Sequence, residues 1–112
     1  MRAETLKGHL DGLLLASLER GPRHGYAIME ALRADSGGQF DLPTGTIYPA
    51  LRRLERADLV RGTWSMAGGR RRRVYRLTPA GRRMLAAERG SWRQFSAAVT
   101  AVLTPLSWEV TS

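Results

Sequence analysis

Cysteine is absent from the 112 residues. That removes disulfides, thiol nucleophiles and cysteine-ligated metals, and it suits a reducing compartment. Lysine is nearly absent too: Lys7 stands alone in a basic complement otherwise made of arginine. Long apolar runs are also missing. Leu13-Leu14-Leu15-Ala16 stops at Ser17 and Glu19-Arg20, well short of the ~20 residues that cross a bilayer. No basic segment leads into an apolar stretch at the N-terminus, so a signal peptide and a membrane partner are not expected, whereas a cytoplasmic location is. The two histidines, His9 and His24, lie too far apart to suggest a metal site, and neither metal nor cofactor is expected. No carboxylate pair, nucleophile with its base or phosphate loop stands out, so the chain does not read as an enzyme.

Acidic residues are scarce where basic ones gather. From Met1 to Val60 eight basic and eight acidic residues cancel. From Arg61 to Ser112 ten arginines face only Glu88 and Glu109, so this half carries the whole net charge of +8. Six of those arginines fall between Leu59 and Leu77 with no acid among them. Asymmetry of this kind points to a polyanion partner. Nucleic acid fits better than a membrane, because no apolar face accompanies the basic run.

The length suits one domain with a single core. Leu6, Leu10, Leu13, Leu14 and Leu18 at helical spacing predict a helix from about Thr5 to Arg20, stopped by Gly21-Pro22. Tyr26, Ile28, Met29 and Leu32 predict a second, from about His24 to Ser36, closed by Gly37-Gly38 and followed by a loop through Pro43. A third begins near Thr44 or Thr46, either of which could cap it, and ends at Asp58. Pro49 is tolerable there only in the first turn or so. Ile47, Ala50, Leu51 and Leu54 share the inner face of this helix. Gly45, Pro49, Arg52 and Arg56 point outward, with Thr46, Tyr48 and Arg53 on the flanks.

Next the period changes to two. Val60, Gly62, Trp64 and Met66 alternate with polar neighbours, Ala67-Gly68-Gly69 turns the chain, and Arg73 to Leu77 returns with Tyr75 and Leu77 inward. Trp64 is assigned to the core of this hairpin. Thr78-Pro79 supplies an N-cap with proline at the first helical position. The last helix then runs to about Leu103, a length of about 37 Å. Along it Trp92, Phe95, Val99, Val102 and Leu106 recur at spacings of 3 and 4, the seam expected of paired helices. The tail after Pro105 is expected to be irregular.

These elements compose a mainly α fold with a small β-hairpin (α+β): a winged helix-turn-helix over residues 1–78, then a C-terminal dimerisation helix and tail over 79–112, as one compact unit. The chain resembles the PadR family of transcriptional regulators. The blocks that carry the resemblance are Gly21-Pro22-Arg23-His24-Gly25-Tyr26, then Gly45-Thr46-Ile47-Tyr48-Pro49-Ala50-Leu51-Arg52-Arg53-Leu54-Glu55, then Arg73-Val74-Tyr75-Arg76-Leu77-Thr78-Pro79-Ala80-Gly81. They occur in the family's order across roughly residues 5 to 83. The resemblance implies a homodimer that represses by binding operator DNA. The short length resembles the branch with a single C-terminal helix, in which the first and last helices build the dimer and some members bind planar aromatic compounds between subunits. Four consecutive arginines at the wing are a heavier charge than that pattern requires.

Candidate contacts to double-stranded DNA follow. Thr44, Thr46 and Tyr48 can donate to phosphates at the helix N-terminus, beside Pro49 on the outer face. Arg52 can meet a guanine edge or a phosphate, and Arg53 the backbone. Arg70, Arg71, Arg72 and Arg73 form a basic tip. A solvated charge run is the plainer account of that tip, but self-repulsion without acids favours a neutralising partner. Pleating sends Arg71 and Arg73 one way, Arg70 and Arg72 the other. Leu10, Leu14, Trp92, Phe95, Val99 and Val102 are candidates for the dimer interface. Trp92 and Phe95, with Leu14 and Leu18, are candidates for the wall of a pocket taking a small aromatic effector, the alternative for Trp92 being an ordinary core aromatic. Two other functions compete with a repressor: a winged-helix module whose arginines meet an acidic protein surface, and a basic module binding nucleic acid, RNA included, without sequence preference.

Overall fold

The computed structural model of the chain describes Leu6 and residues 8–105, with Ala67 described by its backbone. In chain order the elements are α1 (Leu10–Ser17), β1 (Arg23–His24), α2 (Gly25–Asp35), α3 (Thr44–Arg56), β2 (Val60–Ala67), β3 (Arg70–Leu77) and α4 (Pro79–Leu103). Residues 1–5, Lys7 and residues 106–112, including Leu106 and the expected irregular tail, lie outside the described residues.

The first helix is shorter than its leucine spacing predicts. Gly8 takes φ 90°, in the left-handed region, and the His9 amide closes a turn onto the Leu6 carbonyl at 2.8 Å. At its other end the Ser17 hydroxyl donates to the Leu14 carbonyl at 2.6 Å, and the chain tightens through short-range bonds from Leu18 to Leu15 and Glu19 to Ala16. The second helix starts on His24, whose Nδ1 faces the Ala27 amide at 3.3 Å.

Neither Thr44 nor Thr46 caps α3. The chain enters it from Pro43, whose carbonyl accepts from the Thr46 and Ile47 amides at 3.0 and 3.1 Å, and no side chain closes the turn. Pro49 falls in the second turn rather than the first and takes the hydrogen bond away from the Gly45 carbonyl.

The sheet has three strands in the order β1-β3-β2, all antiparallel. The third strand, β1, pairs Arg23 with Tyr75 and His24 with Val74; two residues are too few to show a period. Between β2 and β3 only Gly68 and Gly69 turn, with φ 63° and 75°, the mirror-image turn that matches the twist of a hairpin. The return strand therefore begins at Arg70, and the four arginines lie in a ladder opposite Ala67, Met66, Ser65 and Trp64.

The core joins Leu14, Leu15 and Leu18 of the α1 region to Ile28 and Leu32 of α2, to Ile47, Ala50, Leu51 and Leu54 of α3, and to Val60, Tyr75, Leu77 and Leu85. The inner face of α3 is the one its spacing predicts. Three expectations change. Leu14 and Leu18 are 0% and 1% exposed, so they belong to the protomer's own core and offer no surface to a dimer seam or an effector. Trp64 is 56% exposed, because the hairpin runs beyond the body and only its base reaches the core.

Helix α4 buries only Gly81 and Leu85, runs on beside α1 through Arg89 and Trp92, and then leaves the body. The chain measures 62 × 27 × 23 Å with a radius of gyration of 16.9 Å, against about 13 Å for a compact chain of this length. Among the described residues no helix is long and apolar enough to cross a membrane, and no group of His, Asp and Glu could hold a metal ion.

Candidate nucleic-acid interface

Helix α3 is held against α2 by a close approach. The Tyr48 ring lies where a side chain at position 25 would be: a Cβ on Gly25 would sit 2.5 Å from it. Glycine at the start of α2 thus admits Tyr48, which is half-buried against the core. Beyond it opens a cleft of about 550 Å³ lined by His24, Gly25, Tyr26, Tyr48 and Arg70, Arg71, Arg72 and Arg73. The cleft connects Tyr48, on the flank of α3, with the wing, so residues far apart in sequence become one basic, aromatic surface.

On α3 itself Thr44, Pro49, Arg52, Arg53 and Arg56 are exposed and Thr46 is half-buried. The uncapped first turn leaves backbone amides free for an anion. Arg52 has no ion pair among the described residues. Arg53 does: its guanidinium pairs with Asp11 of α1, both side chains about half exposed. Exposed pairs are worth ~0.2–1 kcal/mol, so a phosphate can take the place of Asp11.

The wing follows the expected pleat. On one face the guanidinium of Arg71 lies 4.3 Å from the centre of the Trp64 ring, and that of Arg73 lies 5.3 Å from it. Arg73 also donates to Glu55 of α3 at 2.5 Å, and the same carboxylate oxygen accepts from the Gly62 amide at 3.3 Å. On the other face Arg72 Nη1 approaches His24 Nε2 at 2.9 Å. A neutral imidazole has one ring lone pair, so His24 either caps α2 or accepts from Arg72, not both at once. The four arginines therefore do not converge on one point. Burial, then the neighbouring Glu55, pushes the Tyr75 phenol above its ordinary value, so it stays uncharged beneath the wing.

Sequence reasoning missed Asp11, Glu55 and the outer-face role of Trp64. Only Gly62 signalled the last two, since glycine inside a strand marks a close approach.

A second surface lies on α4. The Trp92 ring stands edge-on to His9 at 5.4 Å between centres and tilted to Phe95 at 5.9 Å. Trp92, Phe95, Val102 and Leu103 are exposed, and Val99 and Leu10 half-buried. The structure thus groups Trp92 and Phe95 with His9, not with Leu14 and Leu18.

Comparison with known proteins agrees with this geometry. The model of the Transcriptional regulator PadR-like family matches residues 14–87. A PadR-like transcriptional regulator of Bacillus cereus superposes with a TM-score of 0.80 at 28% identity, over 92% of this chain and 99% of that one. A PadR family transcriptional regulator of Eggerthella lenta superposes with a TM-score of 0.77 at 34% identity, over 90% of this chain and 87% of that one. Transcriptional regulator Rv3488 of Mycobacterium tuberculosis is 40% identical over 67 residues, 60% of this chain; the alignment spans 50% of that protein's length.

Proposed function

The chain belongs to the PadR-like family of transcriptional regulators, and on that premise we propose that it is a homodimeric repressor binding an inverted-repeat operator. The observation that carries this reading is the cleft that unites Tyr48 of α3 with the arginines of the wing. One protomer lays α3 in a major groove. Thr44, Thr46 and Tyr48, with the open first turn, meet phosphates, and Pro49 packs toward the groove wall. Arg52 reaches base edges and Arg53 exchanges Asp11 for the backbone. The wing tip follows the flanking phosphates or the minor groove.

Residues 79–112 form the dimerisation part and residues 1–78 the DNA-binding part. Two copies join through the apolar side of α4, Trp92, Phe95, Val99 and Val102, with Leu10 of α1 beside it. The support is that Trp92, Phe95 and Val102 stay exposed against the described residues of one chain. Two-fold symmetry then sets half-sites about one helical turn apart, or a multiple of it. Trp92, Phe95 and His9 present aromatic surface near that junction, suited to a planar aromatic effector that alters the angle between subunits. The protein works in the cytoplasm, where its DNA is.

Selection of bound duplexes from a random pool tests the whole reading. The expected result is a two-fold symmetric consensus, bound at least ~10³-fold more tightly than random duplex. A ratio near unity would mean a nonspecific basic module. A chain that stays single at micromolar concentration and ignores DNA would overturn the proposal altogether.

A further inference from the structure

From Trp64 to Arg73, beyond the pairs that β1 makes with Val74 and Tyr75, the wing is a two-stranded ribbon, and a free ribbon of that kind is marginal in water. Something must hold it at a fixed angle to α3. We propose that the Glu55–Arg73 pair, seated on the Gly62 amide, is the strut that positions the wing for DNA, so that Arg73 supports the contact while Arg70 and Arg71 make it. The inference rests on the DNA-binding reading above.

Three observations carry it. Glu55 Oε2 bonds both strands of the wing from α3, accepting from Arg73 of β3 at 2.5 Å and from the Gly62 amide of β2 at 3.3 Å. Gly62 leaves the space the pair occupies: a Cβ there would lie 2.8 Å from Arg73 Nε and 3.0 Å from Glu55 Oε2. Third, Arg73 continues over Trp64 to Arg71, so the restraint passes from α3 along the ribbon toward its tip. Arg70 and Arg71 are exposed and have no acidic partner among the described residues. Charge argues the same way. A bare carboxylate on the face of α3 that meets DNA would repel phosphate, and a pairing arginine removes that repulsion while spending its own charge internally. The otherwise excessive run of four arginines thus divides into supports at the base and contacts at the tip.

The test uses the full-length protein and a mixed-sequence duplex about three helical turns long, with affinity followed against salt concentration. Wild type is the control: if it does not bind, the DNA-binding reading falls, and the strut with it. Given binding, Glu55→Gln is expected to weaken it about 5- to 20-fold and to lower the salt slope by roughly one phosphate contact per protomer. Arg73→Met should do the same and Arg73→Lys should retain most of the binding. Adding Arg71→Ala to Glu55→Gln should cost less than the two separate losses combined, because a wing out of position has already lost that contact. The opposite result is equally clear. If Arg73 itself meets phosphate, Glu55→Gln frees it, and binding tightens with a steeper slope. That outcome, or wild-type binding by Glu55→Gln and Gly62→Ala, overturns the strut. Amide exchange gives a readout without DNA: faster exchange in β2 and β3, with α1 and α2 unchanged, is expected of Glu55→Gln, and unaltered wing exchange counts against it.

Discussion

Arg52 and Arg53 are neighbours in sequence, yet they are not equally free. Arg52 is exposed on α3 with no ion pair among the described residues, whereas Arg53 lies against Asp11. Arg52→Ala is expected to cost ~1–3 kcal/mol of discrimination between operator and random duplex, the worth of a good base contact. An unchanged ratio would remove it from base reading. Asp11→Asn should act in the other direction. With its competitor neutralised, Arg53 is available to phosphate, and binding to any duplex should tighten by up to about fivefold, equivalent to the ~1 kcal/mol upper value of an exposed pair. Equal affinity of Asp11→Asn and wild type in the same titration would show that Arg53 stays off the DNA. The outward face of α3 was legible from a period of 3.6 residues alone, but Asp11 was not. It stands 42 positions away, and only folding brings α1 beside it.

At the scale of elements, the junction between α3, the wing and α4 depends on Thr78 and Gly81. The Thr78 hydroxyl accepts from the Gly81 amide at 3.0 Å and donates to the Asp58 carbonyl at 2.6 Å. A Cβ on Gly81 would fall 2.0 Å from the Leu59 carbonyl oxygen, so backbone must shift. Gly81→Ala should therefore destabilise at the upper end of roughly 1–3 kcal/mol, measured by urea unfolding. Wild-type stability would mean the junction yields easily. The cap was legible as Thr78-Pro79, while the closeness of Leu59 was not, because no local pattern encodes it.

Another link ties the end of α1 to α4: Arg89 donates to both carboxylate oxygens of Glu19 at 2.7 Å. Those hydrogen bonds hold Glu19 below its ordinary value of 4.5. A depressed carboxyl pKa contributes stability above the unfolded value and loses it as the pH falls through the folded one. Glu19→Gln should thus flatten the fall of melting temperature on acidification below about pH 4.5, and parallel curves for the two proteins would dismiss the link.

For the whole molecule, the consequence of α4 leaving the body is a helix with no core of its own beyond Leu85. Val102 is 82% exposed in one chain, so a charge there costs the isolated protomer little and costs a helix seam a great deal. Val102→Asp should yield single chains in sedimentation at micromolar concentration, with operator affinity much weakened and the salt slope of the remaining binding about halved. A dimer that persists with wild-type affinity would place the junction elsewhere.

Residue periods alone determined the number and kind of the main elements, the buried side of α3, the cap of α4 and the excess of arginine in the second half. These follow from spacing and propensity within a few turns of chain, where side-chain direction is set by the backbone itself. Tertiary structure decided which arginines are free. Asp11, Glu55 and His24 reach the basic residues from other elements, Leu14 and Leu18 turn inward, and His9 comes to Trp92. An ion pair or a ring contact depends on a distance of a few ångströms, and that distance exists only after separate elements pack.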